Sequence, residues 1–106
     1  LLTGKYQEGA IPEASRLSLS HDLGGRMTPR VLPAVAAYLK VAQRYQIDPV
    51  HMALAWCRTR PFMCSAIFGA TQFDQLKWAL GSVDITLSPE CLADIADVHK
   101  AHPMPY

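Results

Sequence analysis

The 106-residue sequence predicts a portion of an α/β fold, drawn from a larger barrel or doubly wound sheet. Three observations carry that expectation. Residues 62–68, FMCSAIF, are a short unbroken apolar run between Pro61 and Gly69, the pattern of a strand buried on both faces of a parallel sheet. Helix starts are written on both sides of it, as a capping residue followed by proline at Thr28-Pro29, Asp48-Pro49 and Ser88-Pro89. Finally, one strand cannot make a sheet, and this chain offers few parallel neighbours for it.

In chain order, residues 1–30 are loop-rich, with four of the six glycines and with Pro12 and Pro29. Lys5, Arg16, Arg26 and Arg30 are spread through them, and a loop of this length in a compact domain is usually functional or disordered. Two helices should fill residues 31–61. The first is capped by Thr28, and Val31, Val35, Tyr38, Ala42 and Tyr45 fall on one helical face. The second starts at Asp48-Pro49 and stops before Pro61. Apolar residues surround it from Val50 to Cys57, which predicts heavy burial. After the strand at 62–68, Thr71 should cap a helix over 71–81, with Asp74 in the capping-box position and Phe73, Leu76 and Leu80 facing inward. A last helix, 88–100, is capped by Ser88 and carries Leu92, Ile95 and His99 on one side. The AHPMPY tail should be extended.

Composition narrows the function classes. Half of the residues are hydrophobic and 18% are charged, a balance that suits a packed domain rather than disorder. A net charge of +1 supplies no field for nucleic acid or a membrane surface, and no apolar stretch is long enough to span a bilayer. The chain opens without methionine or a signal-peptide pattern, so a fragment truncated at its N-terminus is expected. Cys57, Cys64 and Cys91 are an odd set in apolar surroundings, which predicts buried thiols and a reducing, cytoplasmic location. Cys57 and Cys64 lack a partner pair, and His99 with His102 supplies two ligands only, so no metal site is expected.

The stretch SAIFGATQFDQL, 65–76, is where a strand runs into a capped helix. The first turn of a helix presents unpaired N–H groups and partial positive charge, which suits a phosphate. Gly69 lets the backbone approach a ligand, Thr71 offers a hydroxyl, and Gln75 lies one turn later on the same face. The same pattern is also the ordinary connection of any α/β unit. In (β/α)8 barrels, phosphates often sit between the loops after the last two strands. If 62–68 is the last strand, Lys5 and Arg16 lie across from Gly69–Gln75, while Arg26 and Arg30 read as solvated charges.

LTGKYQEGAIPEASR, IDPVHMALAWCRTRPFMCSAIFGATQFDQL and LSPECLADIADVHKAHPMP together resemble the C-terminal part of an aldo-keto reductase. The likeness is to bacterial members of the group that includes the potassium-channel beta subunits, and it runs over essentially the whole chain. It implies the C-terminal portion of a (β/α)8 TIM barrel, with 1–30 as the cofactor-side loop after strand 7 and 62–68 as strand 8. The isolated portion would be mostly helical with one or two strands. The resemblance also implies NADP(H) as cofactor and a small-molecule carbonyl substrate. By family pattern Lys5 binds the cofactor phosphates and Arg16 pairs with the adenosine 2′-phosphate. Gly69, Thr71 and Gln75 hold the adenosine end from the other side. The sequence departs from the pattern where relatives commonly read QLxEN: Trp78 and Ala79 stand in place of the acid and the asparagine that contact adenine. The loop before Arg16 is also one residue longer than in some relatives.

The family's catalytic aspartate, tyrosine, lysine and histidine come from the first half of the barrel. None of Tyr6, Tyr38, Tyr45, Lys40 or His51 sits in a matching motif, so no catalytic residue is assigned. The leading expectation is part of an NADP(H)-dependent oxidoreductase that reduces aldehydes or ketones. The alternative is a non-catalytic NADP(H)-binding regulatory subunit of the same fold. A free-standing helical interaction module is disfavoured by FMCSAIF, which as a lone exposed strand invites aggregation.

Overall fold

The computed structural model describes residues 1–106. They form five α-helices, with single 3₁₀ turns at Gln7–Gly9 and Gly81–Asp84 and no strand. The helices are α1 (Arg16–Ser20), α2 (Val31–Arg44), α3 (Pro49–Arg58), α4 (Phe73–Leu80) and α5 (Pro89–Ala101).

The best-formed helix starts are those the sequence marks most clearly. Asp48 Oδ1 accepts from the N–H groups of Val50 and His51, at 2.8 and 3.2 Å, with Pro49 as the first residue of α3. Ser88 Oγ accepts from Cys91 N–H at 3.2 Å, with Pro89 opening α5. Both caps satisfy donors that the first turn leaves unpaired.

α2, α3 and α5 enclose the main core. It is built from Val41 and Ala42 of α2, Met52 and Ala55 of α3, Leu87, and Cys91 and Ile95 of α5. Arg44 and Tyr45 close one edge on Asp94, whose Oδ2 accepts from Arg44 Nη1 at 2.7 Å and from the Tyr45 hydroxyl at 2.9 Å. A smaller second cluster joins Tyr6, Leu17 and Leu23, and Leu32 of α2 packs against it.

Several expectations are corrected. Residues 62–68 form no strand and, apart from half-buried Ala66, are exposed, with Phe62 80% and Ile67 96% accessible. A strand is stabilised by its ladder partners, and nothing in this chain pairs with these residues. α4 buries Ala79 and leaves Phe73, Leu76 and Leu80 exposed, because no sheet lies beneath its apolar side. α3 buries only Met52 and Ala55 for the same reason: it packs on the core along one side alone. Of the cysteines, Cys91 is buried, Cys57 is half-buried and Cys64 is exposed.

Two caps also shift. α2 starts at Val31 with Arg30 as N-cap, and the Thr28 hydroxyl donates instead to the Pro105 carbonyl, tying the C-terminal tail to the start of α2. α4 starts at Phe73 with Gln72 as N-cap, one residue later than a cap at Thr71 would have it. The segment 1–30 is not wholly loop, since it contains α1.

Candidate functional site

The candidate residues fall into two groups. In the first, Gly4 has φ +74°, and a Cβ there would lie 3.0 Å from Leu39 Cδ1, so both backbone and space call for glycine. Lys5 follows, exposed, with its ammonium 5.1 Å from the centroid of the Tyr6 ring. Tyr6 is buried, and its hydroxyl accepts from Leu17 N–H at 3.4 Å. Burial pushes the Tyr6 phenol up. The bonds with Leu17 and Ser15 and the nearby Lys5 charge outweigh that, so its pKa lies below the ordinary tyrosine value. Ser15 caps α1 through a 3.3 Å bond from Ser18 N–H, and Arg16 is the exposed first residue of that helix. Tyr6 thereby brings Lys5 and Arg16 onto one frame.

In the second group, Gly69, Thr71 and Gln75 are all exposed. Gln75 turns back over the start of α4, and its Oε1 accepts from Thr71 N–H at 3.1 Å and from the Thr71 hydroxyl at 3.3 Å. Its Nε2 is left free to donate. No side chain caps α4 at Gln72, so the first-turn N–H groups face outward. An open depression of about 370 Å³ lies here, lined by Phe68, Ala70, Thr71, Gln72, Phe73 and Leu76. A Cβ at Gly69 would meet nothing within 4 Å, so the chain itself gives no steric reason for glycine there.

The two groups ride on different parts of the fold, and no hydrogen bond or ion pair links them. Lys5 and Arg16 have no acidic partner, since the ion pairs of the chain are Arg44–Asp94 and Lys100–Asp97. Free cations in one group, and free donors beside an open helix start in the other, are the donor set that phosphate and polar nucleoside groups require. The residues present therefore fit a phosphorylated nucleotide cofactor.

Trp78 does not project alone from α4. Its indole stacks on the His51 imidazole with centroids 5.0 Å apart and planes at 27°, and His51 Nε2 lies 2.6 Å from the Trp78 carbonyl oxygen. Ala79 is buried. Three contributors were missed from sequence: His51, the Tyr6 hydroxyl and Arg58. Arg58 Nη2 donates to the carbonyls of Ser82 at 2.8 Å and Ile85 at 2.9 Å, pinning the connection between α4 and α5 to the end of α3. Their partners lie 11 to 27 residues away, beyond the reach of local pattern.

The sequence matches the Aldo/keto reductase family over residues 1–100, and the chain belongs to that family. It is 41% identical over 104 residues to "Protein tas" of Escherichia coli (strain K12), covering 98% of this chain and 30% of that protein. It is 34% identical over 108 residues to a "Probable voltage-gated potassium channel subunit beta" of Arabidopsis thaliana, covering 97% of this chain and 33% of that protein. It is 33% identical over 107 residues to "L-glyceraldehyde 3-phosphate reductase" of Escherichia coli O157:H7, covering 95% of this chain and 30% of that protein. The chain spans about a third of the length of these curated relatives. No helix is long and apolar enough to cross a membrane.

Proposed function

We propose that this chain is the C-terminal portion of a (β/α)8 barrel oxidoreductase that uses NADP(H) to reduce small carbonyl compounds, and that it grips the adenosine end of the cofactor. Lys5 meets the cofactor phosphates and Arg16 the 2′-phosphate. Gly69 admits the ligand to the backbone, while Thr71 and Gln75 hold it from the start of α4. When bound, the cofactor supplies hydride to a carbonyl carbon. The residues of this chain bind and orient. The observation that carries the reading is that, in a chain of this family, all five residues are exposed and neither Lys5 nor Arg16 is paired with an acid.

Arg16 gives the direct test. It is exposed at the start of α1, so Arg16→Ala leaves the small core around Tyr6 and Leu17 in place. In the full-length protein the substitution should weaken NADPH by about 1–3 kcal/mol, the scale of a charged hydrogen bond, and NADH far less. An equal loss for both nucleotides refutes the 2′-phosphate role. The similarity to potassium-channel beta subunits supports a second reading, a cofactor-binding regulatory subunit of the same fold. Turnover of NADPH with aldehydes by the full-length protein separates the two.

A further inference from the structure

We propose that His51 is the positioning residue that aims the start of α4, and with it Thr71 and Gln75, at their ligand. The inference rests on the reading that these two residues grip the adenosine end of the cofactor.

α4 has only eight residues, and Ala79 is the only one buried. A helix this short has little stability of its own, so its direction is set by what holds its end. His51 holds it. The Trp78 carbonyl can only accept, so the 2.6 Å contact places the proton on His51 Nε2. That carbonyl belongs to the last turn of α4, where the Gly81 N–H also reaches it, and its two lone pairs can accept from both donors. His51 thus adds a donor from α3 at the C-terminal end of α4, and its ring lies against the indole of the same residue. The backbone of His51 is itself fixed, because its main-chain N–H donates to Asp48 Oδ1 at 3.2 Å in the first turn of α3.

Gly81 completes the seat. A Cβ there would come within 3.3 Å of His51 Cε1 and 3.4 Å of Nε2, so a side chain at 81 would press on the ring and shift it by a few tenths of an ångström. No other side-chain hydrogen bond ties α4 to another helix. The consequence is one of leverage. Five residues, about 7.5 Å, separate Trp78 from Phe73, so a tilt of about 8° about Trp78 moves the start of α4 by about 1 Å. A displacement of that size is enough to misplace binding groups.

The test is calorimetric binding of NADPH and of adenosine 2′,5′-bisphosphate to the full-length protein. Gln75→Ala is measured first, because an unchanged affinity there overturns the reading itself and this inference with it. If Gln75→Ala weakens binding, His51→Phe, which keeps a ring for the stack but loses the donor, should weaken both ligands about three- to tenfold. His51→Gln, which restores an N–H donor, should recover most of the loss. The double variant His51→Phe/Gln75→Ala should lose less than the sum of the two single losses, because only Thr71 is then left to be misaimed. Wild-type affinity in His51→Phe, or a loss that adds in full to that of Gln75→Ala, overturns the proposal. Should His51→Phe fail to fold, Gly81→Ala, which crowds the ring by a few tenths of an ångström, should weaken both ligands in the same direction, and wild-type affinity there overturns the proposal.

Discussion

Ile67→Lys should have opposite effects in two settings. Residue 67 is 96% accessible and sits in a run with no regular structure. A folded monomer of 11.7 kDa would expose about 5,900 Å², whereas this chain exposes 7536 Å². The excess of about 1,600 Å² is about twice what one partner contributes to a standard protein–protein interface. The radius of gyration agrees, at 14.1 Å against about 13 Å for a compact domain of this length. Much of the excess is apolar, with Phe62, Ile67, Phe73 and Trp78 all open to solvent. Residues 1–106 expressed alone should therefore melt over a broad range, bind a hydrophobic dye and aggregate as concentration rises. In that setting Ile67→Lys removes an exposed apolar group and should improve solubility. In the full-length protein, where the proposed barrel covers this face, the same change should cost at least about 2 kcal/mol, the lost burial of one isoleucine. Chemical denaturation and light scattering on both proteins decide it. A sharp two-state melt of monomeric 1–106, or a neutral Ile67→Lys in the full-length protein, refutes the reasoning.

Two further outcomes follow from the hydrogen-bond geometry. Arg58→Met keeps the aliphatic stem but loses the bonds to Ser82 and Ile85, and should lower stability by about 1–2 kcal/mol after allowance for its exposure. Arg58→Lys should recover only part of this, because one ammonium cannot reproduce the fork; full recovery would show that charge alone matters. At Asp94, the bonds from Tyr45 and then Arg44 hold the carboxyl below its usual range. Stability from this pairing is present above about pH 4, the unfolded value, and is lost as pH falls through the lower folded value. Asp94→Asn should flatten the acid limb of the stability–pH curve, and an unchanged limb would exclude the pairing as its source.

Local signals survive well into the structure. Asp48-Pro49 and Ser88-Pro89 open helices as written, because cap, proline and first turn lie within a few residues. What depends on distant partners does not survive. FMCSAIF has strand composition, but a strand is made by its neighbours. Thr28 looks like a cap, yet its hydroxyl is taken by the Pro105 carbonyl 77 residues on. At the candidate site, Lys5, Arg16, Gly69, Thr71 and Gln75 were legible as residue types, whereas Tyr6 and His51, which hold their surroundings in place, were not. Sequence reasoning gave Thr71 the capping role, and the structure shows Gln75 reaching back to it instead.

The Tyr6 cluster and the main core are packed separately, and the candidate clamp is divided between the Tyr6 side and the start of α4. A dinucleotide held by both groups would be a strut between two parts of the fold that no hydrogen bond or ion pair links directly. Its departure would loosen the protein as well as empty it, so occupancy should be readable as rigidity, in slower amide exchange on both sides of the site, before any substrate is added.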